Sequence, residues 1–409
     1  MDSVRNLIAI VAAIMILSIP AQASFPDEWT RDPANPVFVD GIPSTVVFTS
    51  GHYEMWGSDG SGFSQGTSPD GRTWTINEAS PVLVPGPGWY DEMTVDHASV
   101  QIVDGLYHMW YSCTAADGHN RIAHATSSDG LDWTKDPANP VLDLGPPGSL
   151  DSAELIHPCV LFEDPVFHIW YNGHDDEVQR ILHATSLDGI TWSRDATPAL
   201  EPGQQGAWDD EQLGMMSVVP YGGFYHMLYT GWGADEVIQI GFAASANGLD
   251  WIKWRTDEPV FEPGPEGSWD DLAVLLPVVL VSDSGFMMWY GGTRDFESFS
   301  TGLATAVFPP TTVPDAAALA LGPNYPNPFN PSTTIQYTLV ETAMVTLTIH
   351  DAAGHQVREL MTSRLVSDGR HEIRWDGRDA AGRAMPAGVY YARLEAGSTS
   401  ESRPMVLVK

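Results

Sequence analysis

Four tryptophans, Trp74, Trp133, Trp192 and Trp251, stand 59 residues apart, and each closes a version of the same phrase: a short alternating strand, a Ser, a tight turn and the Trp. The phrase is clearest at Arg121–Trp133 (R-I-A-H-A-T-S-S-D-G-L-D-W) and Arg180–Trp192 (R-I-L-H-A-T-S-L-D-G-I-T-W). Gln239–Trp251 is a weaker copy and Ser64–Trp74 a diverged one. A fixed period of this size means a repeat architecture, in which no unit buries its own apolar face and each must stack on its neighbours.

Each period holds four strand signals. In the third unit they are His157–Phe162, Val166–Asn172, Arg180–Thr185 and Thr191–Leu200, separated by Asp/Pro, Gly-His-Asp-Asp and Asp-Gly turns. Four short antiparallel strands per repeat describe a propeller blade. The second strands align at His52–Trp56, Tyr107–Trp110, Phe167–Trp170, Tyr225–Leu228 and Phe286–Trp289, which counts five blades. The fifth unit stops after its third strand, Thr301–Phe308, while the chain opens with an orphan fourth strand, Trp29–Phe38, almost identical to Trp133–Leu142. We therefore expect an all-β, five-bladed β-propeller closed by an N-terminal strand, which leaves no long sheet edge exposed. The same comparison assigns Arg31-Asp32-Pro33 to the repeat, because Lys135-Asp136-Pro137 occupies the same place.

The flanks point outside the cell. Arg5 precedes an apolar run, Leu7–Ile19, and Ala21-Gln22-Ala23 supplies small residues for signal-peptide cleavage, so residues 1–23 read as a signal peptide. Nothing later reads as a transmembrane segment, and we expect a secreted or surface-attached monomer. Residues 24–310, the expected propeller, hold 9 Lys+Arg against 42 Asp+Glu, a net charge of −33. That field repels nucleic acid and anionic membranes. It suits a solvated acidic surface, calcium or another divalent metal in the central funnel, or a neutral ligand such as a sugar. Cys113 and Cys159 read equally as a disulfide or as two buried thiols.

Residues 311–321 read as a Pro/Thr/Ala linker. Beyond it lies G-P-N-Y-P-N-P-F-N-P-S-T-T-I-Q-Y-T-L (Gly322–Leu339), then alternating strands at Val345–His350, His371–Trp375 and Val389–Leu394. This stretch, 322–409, resembles the C-terminal sorting domain of type IX secretion, an Ig-like sandwich related to that of flagellar hook-capping proteins. The resemblance implies a second, small β-sandwich and contact with secretion machinery.

In a propeller the loops leading into the innermost strands converge on the funnel, so ligand sites gather there. Asp91, Asp151, Asp209 and Asp270 fall in one column, each after a bulky residue (Tyr90, Leu150, Trp208, Trp269), and a fourfold repeat suits a structural role as well as a ligand contact. Symmetry then breaks. Thr94 aligns with Glu154, Gln212 and Ala273; Asp96 with Ile156, Gly214 and Leu275; His97 with His157, Met215 and Leu276; the first unit offers Asp40 in the Thr94/Glu154 column. Asp40, Asp96, His97, Glu154 and His157 thus form an acidic, histidine-bearing arc facing an apolar side. Asp91, Glu92, Asp210 and the aromatics Trp89, Trp208, Trp232 and Trp269 are candidate ligand contacts around it. His97 and His157 suit hydrogen bonding across the funnel or, with Asp96 or Glu154, a metal. His108, His168, His226, His124 and His183 follow the repeat and read as packing residues.

The five units, the closing strand, the A-T-S-x-D-G-x-x-W hairpins and the H-x-W-Y second strands resemble the five-bladed glycoside hydrolases of families 32, 43 and 68 and the mannoside phosphorylases of family 130. The resemblance implies hydrolysis or phosphorolysis of a glycosidic bond by carboxylates at the starts of the first three inner strands. Two are needed because one donates a proton while the other activates water or attacks carbon. On this pattern Asp40 is base or nucleophile, Asp96 a modulator and Glu154 the acid. The chain departs from it, with Ile42-Pro43, His97-Ala98 and His157-Pro158 where an Asp-Pro is expected. A non-catalytic module binding glycan or protein is the alternative.

Overall fold

The computed structural model describes residues 28–38, 41–221, 224–282, 285–307, 319–339, 343–351, 355–366, 369–396 and 399–408. The expected signal peptide, Asp40 and residues 311–318 of the expected linker lie outside them. The chain divides into two compact units, Met1–Pro309 and Pro310–Lys409.

Strands carry the first unit. After β1 (Thr30–Arg31) come β2 (Thr45–Thr49), β3 (His52–Ser58), β4 (Phe63–Ser68) and β5 (Thr75–Ile76) in one antiparallel sheet. β6 (Thr94–Val103), β7 (Leu106–Thr114), β8 (Asn120–Ser127) and β9 (Trp133–Lys135) form the next sheet. β10 (Glu154–Glu163), β11 (Val166–His174), β12 (Gln179–Ser186) and β13 (Ser193–Arg194) follow, then β14 (Gln212–Tyr221), β15 (Phe224–Trp232), β16 (Gln239–Ser245) and β17 (Trp251–Trp254). The last sheet joins β18 (Ala273–Ser282), β19 (Gly285–Thr293) and β20 (Ser300–Val307) to β1, with Thr30 opposite Thr305 and Arg31 opposite Ala304. The two ends of the unit therefore share one sheet. The innermost strands β2, β6, β10, β14 and β18 neighbour one another in that order, β18 returns to β2, and all five line one channel. The fold is a β-propeller, and every described sheet in this unit has four strands.

The hairpin phrase does two jobs. The Ser127 hydroxyl accepts the Gly130 N–H at 2.9 Å and the Asp129 carboxylate accepts the N–H groups of Leu131 and Asp132, both at 2.9 Å, so the turn caps itself. The turn glycine then meets the neighbouring sheet: the indole N–H groups of Trp56, Trp110, Trp170 and Trp289 donate to the carbonyls of Gly130, Gly189, Gly248 and Gly71 at 3.0, 2.7, 3.0 and 2.8 Å. Those glycines need their positive φ, and a Cβ on Gly189 would lie 2.8 Å from the Trp110 ring. In the sheet of β14 the equivalent residue is Leu228, and the sheet it faces has no such hairpin, because its third and fourth strands come from opposite ends of the unit.

A second repeated device ties the outer strand of four sheets to the loop before the inner strand. Buried Asp91, Asp151, Asp209 and Asp270 pair with Lys135, with Arg194 (2.7 Å), with Lys253 (2.5 Å) and with Arg31 (2.9 Å). Tyr171, Tyr229 and Tyr290 donate their hydroxyls to the last three carboxylates at 3.0, 2.9 and 3.1 Å. Arg31 thus closes the last sheet with a charge as well as with main-chain bonds. Cys113 and Cys159 are both free thiols, one on β7 and the other on β10.

In the second unit β21 (Leu319–Tyr325), β22 (Thr333–Leu339) and β25 (Gly369–Trp375) form one sheet, and β23 (Ala343–Asp351), β24 (Gln356–Val366), β26 (Gly388–Ala396) and β27 (Thr399–Leu407) form another. Phe329, Ile335, Tyr337, Val345, Leu347, Trp375 and Leu394 share its core. The first strand starts at Leu319, inside the stretch read as linker.

Removing the closing charge tests the first unit. Stripping one partner from a buried pair leaves an uncompensated ion, so Arg31→Met is expected to lower unfolding free energy by about 3 kcal/mol in urea. Arg31→Lys should recover most of the loss, since lysine serves in two other sheets. A change of Arg31→Met below about 0.5 kcal/mol, the scale of an exposed pair, would contradict this role.

Candidate functional site

The inner strands β6, β10, β14 and β18 begin at Thr94, Glu154, Gln212 and Ala273, the column read from the sequence, and each is bulged near its fourth residue. At the bulge His97, His157 and Leu276 take left-handed φ of 40°, 56° and 57°. That region disfavours residues with a Cβ, and bulges re-aim side chains. The bulge N–H groups of His157 and Leu276 are held by Ser112 Oγ (2.9 Å) and Thr230 Oγ1 (3.1 Å) of the preceding sheet. The side chains of His97, His157, Met215 and Leu276 close round one end of the channel together with Pro43. Strand register puts Pro43 in line with His97, one residue on from the Ile42 suggested by the sequence.

The two histidines meet edge to face, ring centroids 4.3 Å apart. His157 Nδ1 lies 2.9 Å from Asn172 Oδ1, and the Asn172 amide nitrogen donates to Leu213 O (2.9 Å) and Gly214 O (3.2 Å), which fixes the amide's orientation. Nδ1 of His157 therefore carries the proton and Nε2 the lone pair. Burial pushes the His97 pKa down to about 4 and that of His157 well below the ordinary value, the latter further through the charge of His97. Both are neutral near pH 7.

Asp96 sits beside them. Its Oδ1 accepts the His97 backbone N–H at 2.8 Å and its Oδ2 lies 3.3 Å from His97 Nδ1. The side chain keeps 39% of its surface open at the mouth, so water screens part of the effect. Burial still raises its carboxyl to about 6, opposed by the His97 N–H bond and assisted by the charge of Asp59. Asp59, which follows β3, is brought alongside β6 by the Gly60–Val95 bridge. Its own carboxyl is held below the ordinary value by the Ser61 hydroxyl (2.6 Å) and backbone N–H (2.9 Å). Two carboxylates with opposed pKa shifts thus share one rim.

The structure brings Asp96, His97 and His157 together and disperses the other candidates. Glu154 accepts from the Asn120 amide, whose oxygen takes the Thr114 hydroxyl (2.5 Å), itself 2.6 Å from Thr94 Oγ1. Asp91 is fully buried under Lys135 and offers a ligand no surface. Asp210 holds the Gly206 N–H at 2.6 Å, as Asp271 holds Gly267 at 2.7 Å, so it belongs to the repeat. Trp208 and Trp269 pack on Tyr229 and Tyr290 across glycine clearings; a Cβ on Gly231 would stand 2.9 Å, and one on Gly292 2.4 Å, from those indoles. Glu92 is exposed and Asp40 lies outside the described residues. Among the described residues no group of three or more His, Cys, Asp or Glu gathers closely enough to hold a metal ion. Asp59 was missed because it stands at the end of a second strand rather than the start of an inner one; the signal was an Asp-Gly pair breaking a column that holds Cys113 and Gly173 in the next two sheets.

Comparison with known proteins gives the context. Residues 330–400 match the FlgD Ig-like domain family. An uncharacterized protein of Mycobacterium tuberculosis is 30% identical over 136 residues, covering 31% of this chain and 43% of that protein, so the chain spans less than half of that relative's length. A 1,2-beta-oligomannan phosphorylase of Thermoanaerobacter sp. is 24% identical over 223 residues, 51% of this chain and 69% of that protein. Among solved structures, a thermostable family-43 glycoside hydrolase superposes with a TM-score of 0.54 at 18% identity, covering 70% of this chain and 94% of its own. A member of the GH130 family of mannoside phosphorylases, which contains glycoside hydrolases that target beta-1,2 mannosidic linkages in Candida mannan, gives 0.53 at 19% identity over 71% and 98%. At these identities the likeness is one of fold. Among the described residues no helix is long and apolar enough to cross a membrane.

The Asp96 shift predicts a pH signature. Its carboxyl titrates near 6 in the fold against an ordinary 3.8, so the fold holds a proton there that the unfolded chain has released. The stabilising contribution is present below pH 3.8 and lost as pH rises through about 6. Asp96→Asn, which cannot ionise, is expected to gain Tm relative to the parent as pH rises from about 4 to 7. A pH-independent offset between the two would contradict the shift.

Proposed function

We propose that this protein is an exported five-bladed β-propeller that cleaves glycosidic bonds, by hydrolysis or phosphorolysis, at the end of the channel where Asp96 meets His97 and His157. The observation that carries the reading is the juxtaposition of two carboxylates with opposed pKa shifts, Asp59 lowered and Asp96 raised to about 6, at one end of the channel of a fold shared with glycoside hydrolases and phosphorylases. Bond cleavage at an acetal needs one carboxyl to protonate the leaving oxygen and one carboxylate to activate the nucleophile or stabilise the cation. Asp96 fits the acid, a role the family resemblance implied for Glu154, and Asp59 or Asp40 the base. Glu154 and Asn120 form the rim beside them, and the neutral histidines orient sugar hydroxyls. An N-terminal leader and the FlgD-like Ig domain as sorting module would take the protein to the cell surface.

Binding without turnover is the second reading. It is favoured by the closure of the recess by Met215, Leu276 and the histidine pair and by the tie between Glu154 and Asn120, which occupies one oxygen of a candidate carboxylate. The test is product release from a glycan panel that includes β-1,2-linked mannooligosaccharides, with and without phosphate. Turnover is expected, with Asp96→Asn lowering kcat about 10²–10⁴-fold, the usual scale for loss of a general acid. Binding with no product from any glycan by the folded protein would establish the second reading instead.

A further inference from the structure

The rim carries one residue that breaks the repeat at a cost to the fold. Two positions before the buried aspartate, the loops leading into β10, β14 and β18 have Ser149, Ala207 and Ser268, whereas the loop into β6 has Trp89. The hydroxyls of Ser149 and Ser268 donate to Asp151 Oδ1 and Asp270 Oδ1, each at 2.8 Å. Neither Ala207 nor Trp89 has a hydroxyl to give, yet of these four aspartates Asp91 alone keeps a buried oxygen, Oδ1, without a hydrogen-bond partner among the described residues. An unsatisfied buried acceptor is destabilising, and native folds rarely keep one without reason.

The core gains little in exchange, because Trp89 is 57% exposed. Its indole is nevertheless fixed. The Tyr90 ring meets it edge on at 6.4 Å, and the Arg121 guanidinium lies over it, 5.1 Å from the centroid. Arg121 is itself clamped by Asp117 (2.7 Å), Asp143 (2.8 Å) and the His119 carbonyl (3.2 Å). A held cation therefore backs the ring, and more than half of the residue's surface meets solvent.

The position is also right. Trp89 precedes the start of β6, and Arg121 follows Asn120, which donates to Glu154 at the start of β10, so the platform stands at the same end of the sheets as the Asp96 recess. Two strand spacings of about 4.8 Å separate β6 from β8, which sets the Arg121 end of the platform on the order of 10 Å out from the Asp96 strand. A short oligosaccharide anchored in the recess spans that distance.

We propose that Trp89 is a sugar-stacking platform, a distal subsite that takes a pyranose ring of an oligosaccharide whose other end occupies the Asp96 recess. This rests on the glycan reading above and adds selection for chain length to it. Rigid aromatic faces bind the apolar C–H face of a ring at low entropic cost.

The test uses the full chain and a ladder of β-1,2-linked mannooligosaccharides of about two to six units, with affinity read by calorimetry. Trp89→Ala is expected to weaken the longer members about tenfold and the dimer much less, with Trp89→Phe keeping most of the affinity. Trp89→Ser should show the same chain-length-dependent loss with no fall in Tm, because the serine can cap Asp91 as Ser149 caps Asp151. Equal affinities of parent and Trp89→Ala would overturn the platform and leave the recess reading intact. A uniform loss at every length with a lowered Tm in Trp89→Ser would show a structural role and overturn it too. If the parent binds no member of the ladder, the glycan reading fails for this ligand and the platform falls with it.

Discussion

The indole-to-carbonyl bond between one sheet and the hairpin of the next is the contact on which the first unit depends. It explains why Ser, the turn glycine and Trp recur together: the serine shapes the turn, glycine lets the neighbouring indole approach, and the hairpin's own Trp covers the joint, with Trp74, Trp133 and Trp251 donating back to the same carbonyls at 3.2, 3.0 and 2.9 Å. A sheet cannot complete this joint alone, so the sheets must come as a ring. The one place among the described residues where the joint is missing, Leu228, faces the sheet assembled from both ends of the first unit. There Arg31 and Asp270 supply a buried charge pair, and main-chain bonds from Asp32, Val37 and Phe38 to β20 complete the seam.

Because turns, joints and charge pairs stabilise the ring, the bulge positions at the channel end are free to differ between sheets. Hydroxyl-bearing residues hold the bulge backbone from the preceding sheet, while the side chains range from Pro43 through His97 and His157 to Met215 and Leu276. The polar side chains fall on successive sheets and the apolar ones opposite. The site is thus a local departure from symmetry on a symmetric frame, and Trp89 is a second departure on the same rim. In both places the fold accepts a cost, left-handed backbone in one and an unsatisfied carboxylate oxygen in the other.

Much of this was legible in the sequence. The period, the strand columns and the N-terminal strand's place in the last sheet follow from residue types that have one structural use each: Asp-Gly at a turn, alternating apolar residues on strands, Trp at a joint. The asymmetric column was legible for the same reason, since Thr94, Glu154, Gln212 and Ala273 do start their strands. Side-chain partners were not. Asp91 reads like any loop acid until Lys135 is seen across the sheet, and Trp208 reads like an exposed aromatic until the cleared space at Gly231 and Gly241 shows where it lies. Asp59 escaped because its nearness to Asp96 comes from a bridge between two sheets, which no column within a repeat records.

Glycan is expected to engage the polar end of the channel over the second and third sheets. Hydrogen exchange of the full chain with and without a β-1,2-linked mannooligosaccharide tests it directly. Slowed exchange confined to residues 89–97, 119–121 and 152–157 is the predicted result. Slowed exchange at the opposite ends of the same strands, residues 103–106 and 163–166, with no change at the Asp96 end, would contradict it.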